Sequence, residues 1–298
     1  MKALITGGTG FIGQNLVRRQ DSPVILGRSP EKIRKLFPEA RAYAWQPGEP
    51  VTEDAFQEVD TVFHLAGESI FKGRWNQAKK DRILSSRVEG TASIVDSLAR
   101  MEAPPETLIC SSAVGYYGSR GDEILTESSG PGADFLAQVC QAWEKEARKA
   151  EKLGIRVVCI RTGVVLGRDG GALPQMLPPF KAGLGGKLGS GRQYMAWIHI
   201  YDLIEIMLYA AANKELKGPV NAVSPQPVTN KEFTRMLASV LHRPAILPAP
   251  TPFLRLVFGE FSNVLLSSQR ALPQKLEEAG YEFKYPEVRQ ALEAAIKD

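Results

Sequence analysis

Four glycines, at positions 7, 8, 10 and 13, sit in the run Gly7-Gly8-Thr9-Gly10-Phe11-Ile12-Gly13, directly after the apolar stretch 2–6. Gly8, Gly10 and Gly13 satisfy G-x-G-x-x-G, while Gly7, Gly10 and Gly13 satisfy G-x-x-G-x-x-G. In such a run one glycine permits the tight turn, one lets backbone approach a pyrophosphate, and one packs a helix against a strand. The helix that follows presents free N–H groups and partial positive charge to an anion. Placed between a strand and a helix, the spacing predicts a dinucleotide site.

The second apolar run ends VILGRSPEK. A site for the unphosphorylated dinucleotide usually carries Asp or Glu there to accept the ribose hydroxyls. This chain has Gly27, Arg28 and Ser29. Arginine is a forked, permanently charged donor that suits a phosphate. The pattern predicts NADP(H) as the cofactor, against the simpler reading of a solvated arginine at a strand end.

The runs KALIT, PVILG, TVFHLAG, TLICSS and RVVCIRTG read as buried strands. FIGQNLVRR, the stretch from about 75 to 101, and DFLAQVCQAWEKEARKAEKL read as helices between them. Strict alternation predicts a doubly wound parallel α/β sheet with helices on both faces. Residues 1–165 form the expected nucleotide domain, with its sheet partly completed by later strands near 195–225. Residues 166–298 form the expected substrate-side lobe, including a small terminal domain at about 245–295. GGALPQMLPPFKAGLGGKLGSG, rich in Gly and Pro, reads as an irregular substrate-side segment.

Of the 298 residues 44% are apolar and 23% charged, with a net charge of +4. These are ordinary values for a globular chain. Basic residues are scattered among acids, which argues against nucleic acid as a partner. No apolar run is long enough to cross a bilayer, so no membrane partner is expected. Cys110, Cys140 and Cys159 are not spaced as metal ligands and read as buried thiols. No metal is expected. The chain reads as cytoplasmic, with a processed organelle form as the alternative.

With TGGTGFIG, HLAGES, SSAVGYYG, IRTGVVLG and AWIHIYDL in order, the chain resembles the extended short-chain dehydrogenases/reductases. The combination FKGRWN, SSAVGYYG and GSGRQYMAWIH is similar to the atypical epimerase-family branch, whose small C-terminal domain the stretch 265–292 also resembles. The resemblance implies that Thr9, Gly10, Phe11 and Ile12 hold the pyrophosphate, and Gly27, Arg28 and Ser29 the adenosine ribose phosphate. It further implies that Leu65, Ala66 and Gly67 lie along the cofactor, that Arg82 and Arg87 face it, and that Val164 approaches the nicotinamide.

Reductases of this architecture use a tyrosine and a lysine four residues later on one helix face. The matching helix here places Leu136 and Cys140 at those positions, and neither can transfer the proton. Ser112 matches the family's serine, to polarise a carbonyl or merely to bond within its turn. Tyr117, with Tyr116 beside it, is an expected proton donor if Arg74 or Lys145 lies close, or else packs beneath its loop. Glu68 reads as a base if desolvation raises its pKa, or as a loop hydrogen-bonder. Arg74, Trp75, Gln193, Tyr194 and Trp197 are expected to line the substrate side, with core packing as the alternative for the tryptophans. His199 and Asp202 invite a dyad, but Asp202 reads better as a structural residue at a helix start.

Two functions remain open on these residues. One is an NADP(H)-dependent oxidoreductase or nucleotide-sugar epimerase acting on a small molecule of unknown identity. The other is a catalytically silent NADP(H)-binding sensor. A homodimer through the two long helices and a monomer are both compatible with the sequence.

Overall fold

The computed structural model describes residues 1–71 and 73–297; Lys72, within the FKGRWN motif, and Asp298 lie outside the described residues. The strands are β1 (Ala3–Thr6), β2 (Val24–Gly27), β3 (Arg41–Ala44), β4 (Thr61–His64), β5 (Thr107–Ala113), β6 (Ile124–Leu125) and β7 (Arg156–Thr162). There follow β8 (Val164–Leu166), β9 (Tyr194–Met195), β10 (Trp197–His199), β11 (Gly218–Ala222), β12 (Val228–Thr229) and β13 (Arg270–Ala271). Seven of them form one parallel sheet in the order β11-β7-β5-β4-β1-β2-β3. All four residues of β1 and of β4 are buried, as strands covered on both faces require. The half-exposed edge strand β3 lacks such a run. Of the late strands expected near 195–225, β11 joins the central sheet, whereas β10 pairs with β8 and β9 with β12.

The helices are α1 (Phe11–Val17), α2 (Pro30–Leu36), α3 (Gln77–Leu98), α4 (Phe135–Ala147), α5 (Leu173–Lys181) and α6 (Ile200–Ala212). The C-terminal part adds α7 (Asn230–Leu241), α8 (Thr251–Phe258), α9 (Ser262–Leu266), α10 (Gln274–Glu278) and α11 (Val288–Lys297). Their starts are readable chemically. Asn76 accepts the Lys79 N–H at 2.9 Å, Asp134 the Ala137 N–H at 3.0 Å, and Thr229 with Glu232 closes a capping box. One face of the sheet buries Leu16, Val17, Leu203, Ile206 and Met207 from α1 and α6. The opposite face buries Ile94, Leu98, Trp143 and Ala147 from α3 and α4. A third core, around Trp197, Phe233, Leu237 and Leu292, belongs to the C-terminal half.

The order of connections reverses between β1 and β4, where β1 runs on to β2 at one side and pairs with β4 at the other. A doubly wound sheet opens its ligand crevice at the carboxyl ends of strands at such a reversal. The glycine run at 7–13 and the stretch 65–68 lie there.

Candidate functional site: a dinucleotide crevice

Gly7 has φ +70°, a backbone that side chains rarely adopt, and a Cβ on it would lie 2.9 Å from the Leu65 carbonyl carbon. A Cβ on Gly13 would lie 2.2 Å from the Gly7 oxygen. These two glycines therefore bring the turn, α1 and the end of β4 into close approach. Gly10, the N-cap of α1, has no side-chain cap, and the Gln14 side-chain amide donates to the Thr9 carbonyl at 2.9 Å. A helix start closed by no side chain, on a turn that tolerates no Cβ, fits the pyrophosphate of a dinucleotide. Phe11 turns its ring away into a cage of glycines, where Cβ atoms on Gly167 and Gly170 would come within 2.5 and 2.3 Å of it.

The floor of the crevice is tied by one hydroxyl. Thr6 Oγ1 accepts the N–H groups of Leu65 and Ala66 at 3.0 and 3.1 Å, and lies 2.8 Å from His64 Nδ1. Because it already accepts two hydrogen bonds, the hydroxyl donates to Nδ1, which makes His64 the Nε2–H tautomer. Burial lowers the His64 pKa to about 4, and its ring meets Trp45 edge-on at 6.1 Å.

At the end of β2, Gly27 is followed by Arg28, which is exposed, and by Ser29. Ser29 caps α2, its hydroxyl accepting from the Lys32 N–H at 3.3 Å and donating to Glu31 at 3.2 Å. Ser29 thus has a structural duty besides any contact with phosphate.

Glu68 differs from the base expected. Lys79 donates to its carboxylate at 2.6 Å, and Arg82 and Arg28 add attraction. These hold its pKa below the usual carboxylate value, the reverse of a desolvated base. Arg87 is pinned behind the same loop. It donates to the carbonyls of Glu68 at 3.1 Å and Ile83 at 3.0 Å, and lies over the Trp143 ring at 5.0 Å. A Cβ on Gly67 would touch its guanidinium carbon at 3.2 Å, so Arg87 supports the loop Leu65-Ala66-Gly67 from beneath. Arg82 is exposed.

At the ends of β5 and β7 lies a buried polar cluster that sequence reasoning missed. Glu144 on α4 and Arg161 on β7 form a forked pair, 2.8 Å at both Nε–Oε1 and Nη2–Oε2, each at least nine-tenths buried. Ser112 donates to Glu144 Oε1 at 2.7 Å. Its proton is thereby committed and is not aimed at a substrate carbonyl. Arg161 also donates to the Tyr117 hydroxyl at 3.0 Å, while that hydroxyl donates to Asn221 at 2.7 Å. Tyr117 is wholly buried, and burial pushes its pKa up to about 12. The nearby cation is Arg161, neither Arg74 nor Lys145. With both its hydrogen-bonding directions used and no exposed surface, Tyr117 packs beneath its loop. Arg161 further lies 3.4 Å over the Tyr116 ring. The signal in the sequence was Arg161, buried within the apolar run of β7, and Glu144 on the apolar face of α4; charges in such places are seldom left unpaired.

Leu136 and Cys140 share one face of α4 and face the turn after β5. A Cβ on Gly115 would lie 3.5 Å from Leu136 and 4.0 Å from Cys140. The Cys140 thiol is buried and pushed up to about 11, which keeps it protonated and inert.

Several residues expected along the substrate side are engaged within the protein, which for the tryptophans is the packing alternative. Trp197 is wholly buried in the C-terminal core, with its indole N–H donating to Gln226 at 3.0 Å. The Gln193 amide is buried and donates to Leu188 at 3.0 Å. Trp75 packs its ring edge-on to Phe135 at 5.7 Å and donates to the Ile70 carbonyl at 2.9 Å. Arg74 is exposed, beside Gly259, and Val164 is half-buried at the start of β8. Asp202 accepts the Lys284 and Tyr285 N–H groups at 2.8 and 2.9 Å and clasps the C-terminal segment to α6. His199 accepts the Tyr201 N–H at 3.2 Å and faces Tyr285. Among the described residues no group of His, Cys, Asp or Glu could hold a metal, and no helix is long and apolar enough to cross a membrane.

The profile of the NAD-dependent epimerase/dehydratase family matches residues 3–223, which takes in the glycine turn, β4 and the polar cluster. The chain belongs to this family. A domain of unknown function matches residues 249–295. An epimerase family protein of Arabidopsis thaliana, named as chloroplastic, is 41% identical over all of this chain and 87% of its own length. An epimerase family protein of Bacillus subtilis is 40% identical over all of this chain and 99% of its own. The crystal structure of a human epimerase family protein with NADPH has a TM-score of 0.87 and 32% identity, covering the whole of both chains.

Proposed function

We propose that this family member binds NADP(H) and carries out hydride chemistry on a small molecule, as an oxidoreductase or epimerase. The observation that carries the coenzyme choice is the end of β2, where Arg28 and Ser29 stand in place of an acid beside an uncapped pyrophosphate turn. The human relative crystallised with NADPH supports the same reading. When bound, the nicotinamide supplies the hydride. The chain's own residues would hold the coenzyme: the 9–12 backbone the pyrophosphate, Arg28 the ribose phosphate, and the Arg87-backed loop 65–67 its length.

A second reading, a coenzyme-binding sensor without turnover, is favoured by the polar cluster. Ser112 and Tyr117 both spend their hydrogen bonds inside the protein, and Leu136 and Cys140 replace the family's proton donor pair. Titration of NADPH and NADH by protein fluorescence tests the shared claim. Arg28→Ala should weaken NADPH about tenfold or more, the loss of a charge-assisted contact, and leave NADH little changed. Equal affinities in the parent would refute the coenzyme assignment. A screen of carbonyl and nucleotide-sugar compounds for NADPH oxidation then separates the readings: turnover by the NADPH-bound protein supports the enzyme, and tight binding without turnover the sensor.

A further inference from the structure

Three cations, Lys187, Lys231 and Arg235, line a groove of about 330 Å³ in the C-terminal half, and no acid lines it. The sequence makes the groove one-sided. No Asp or Glu occurs in 170–201 or in 233–259, the stretches that supply Lys187 and every lining residue from Thr234 onward. Glu232, between Lys231 and the second stretch, commits its carboxylate to the cap of α7, accepting from the Thr229 N–H at 2.8 Å and hydroxyl at 2.7 Å. Among the described residues none of the three cations is ion-paired. Gly191 brings two of them together. A Cβ on it would lie 3.2 Å from both the Lys187 Cβ and the Lys231 Cβ, so the two stems flank it. Arg235 stands one turn beyond Lys231 on α7, while Phe233 and Leu237 of that helix are buried in the core. Like charges at that spacing repel. The walls are tied by hydrogen bonds of their own. The Lys231 N–H donates to the Gly191 carbonyl at 2.9 Å, the Ala249 N–H to the Lys187 carbonyl at 2.9 Å, and the Leu188 N–H to the Asn230 side chain at 2.8 Å.

From this arrangement we infer that the groove binds a phosphate monoester carried on an apolar body. Two compact ammonium charges and one forked guanidinium suit the several oxygens of a doubly charged phosphate. The anion also relieves the repulsion between the cations. Ala238, Ala245, Ile246 and Pro248 give the apolar body its surface, and the volume is at the small end of small-molecule pockets. None of the residues assigned to the coenzyme lines this groove, so the site is additional to the crevice and does not rest on the NADP(H) reading. A phosphate monoester is found on soluble metabolites and as the headgroup of phosphatidic acid, and the two sources share this chemistry.

Calorimetric titration of the full chain with phenyl phosphate tests this, because the probe carries both parts. Binding at about 1 mM or tighter is expected, with inorganic phosphate weaker. Lys231→Met and Arg235→Met should each weaken phenyl phosphate about fivefold at low salt, and less at high salt. NADPH affinity should be the same in these variants as in the parent. Thermal melting reports whether each is folded, and Lys187→Met supplies another charge removal where one is not. Sedimentation with phosphatidic acid vesicles, against phosphatidylcholine vesicles, separates the sources. Sedimentation that the same variants abolish assigns the phosphate to a lipid headgroup; its absence beside phenyl phosphate binding assigns it to a soluble ester. The inference is overturned if neither phenyl phosphate nor phosphatidic acid binds, or if folded groove variants bind as the parent does. It is also overturned if inorganic phosphate binds as tightly as phenyl phosphate, or if NADPH affinity falls in step. A parent that binds no NADPH defeats the coenzyme reading, while the phenyl phosphate titration still decides the groove.

Discussion

Protonating His64 should destabilise this protein from its centre. Its ring is wholly buried, its Nδ1 accepts a hydrogen bond from the Thr6 hydroxyl, and its pKa is lowered to about 4 by burial. In the unfolded chain the same imidazole titrates near 6.5. Because the folded value is the lower one, the contribution is fully present above pH 6.5. It is lost as the pH falls from there towards 4, since the unfolded state takes up the proton first. Linkage over that difference gives about 2.5 kcal/mol lost by pH 4.5 and about 3 kcal/mol at the limit. Urea unfolding of the parent and of His64→Gln at pH 7, 5.5 and 4.5 checks this. The difference between the two proteins cancels the other titrating groups, including Glu127 and Asp202, whose carboxyls are raised by burial. The parent should lose about 2.5 kcal/mol more than the variant between pH 7 and 4.5. Parallel pH dependences would refute the buried neutral imidazole.

Gly13→Ala places a methyl 2.2 Å from the Gly7 oxygen, so the turn must open; coenzyme binding measured by fluorescence should be lost in a protein that still melts cooperatively. Glu144→Ala leaves Arg161 buried without its partner, and urea unfolding should show a loss of about 3–5 kcal/mol. If the loss is under about 1 kcal/mol, the pair is not the buried clamp described.

The layout of the nucleotide half was legible because its strands are short continuous apolar runs and its helices repeat at helical spacing. β3 was not, since RAYA is a half-exposed edge strand with no such run, and β11 was placed only roughly, since GPVNA begins with glycine and proline. The glycine turn was legible because the need for φ > 0 and close approach leaves few alternatives to glycine. The roles of Ser112 and Tyr117 were not, because a hydroxyl at a strand end looks the same whether it meets a ligand or Glu144. That choice depends on contacts across 32 residues for Ser112 and 104 for Tyr117. Trp197 and Gln193 show the same limit: nearness in sequence to a Gly-rich segment does not reveal which face a side chain takes. Glu68 failed as a base for a different reason. Its partner Lys79 stands at the start of α3, and only the fold of the loop between them reveals the pairing.

A crystal structure of this protein grown with NADPH tests the central claim most directly. The account predicts the pyrophosphate on the 9–12 backbone and the ribose phosphate within hydrogen-bonding distance of the Arg28 guanidinium. A ribose phosphate turned into solvent, away from Arg28, or a coenzyme bound anywhere else on the chain, would contradict it.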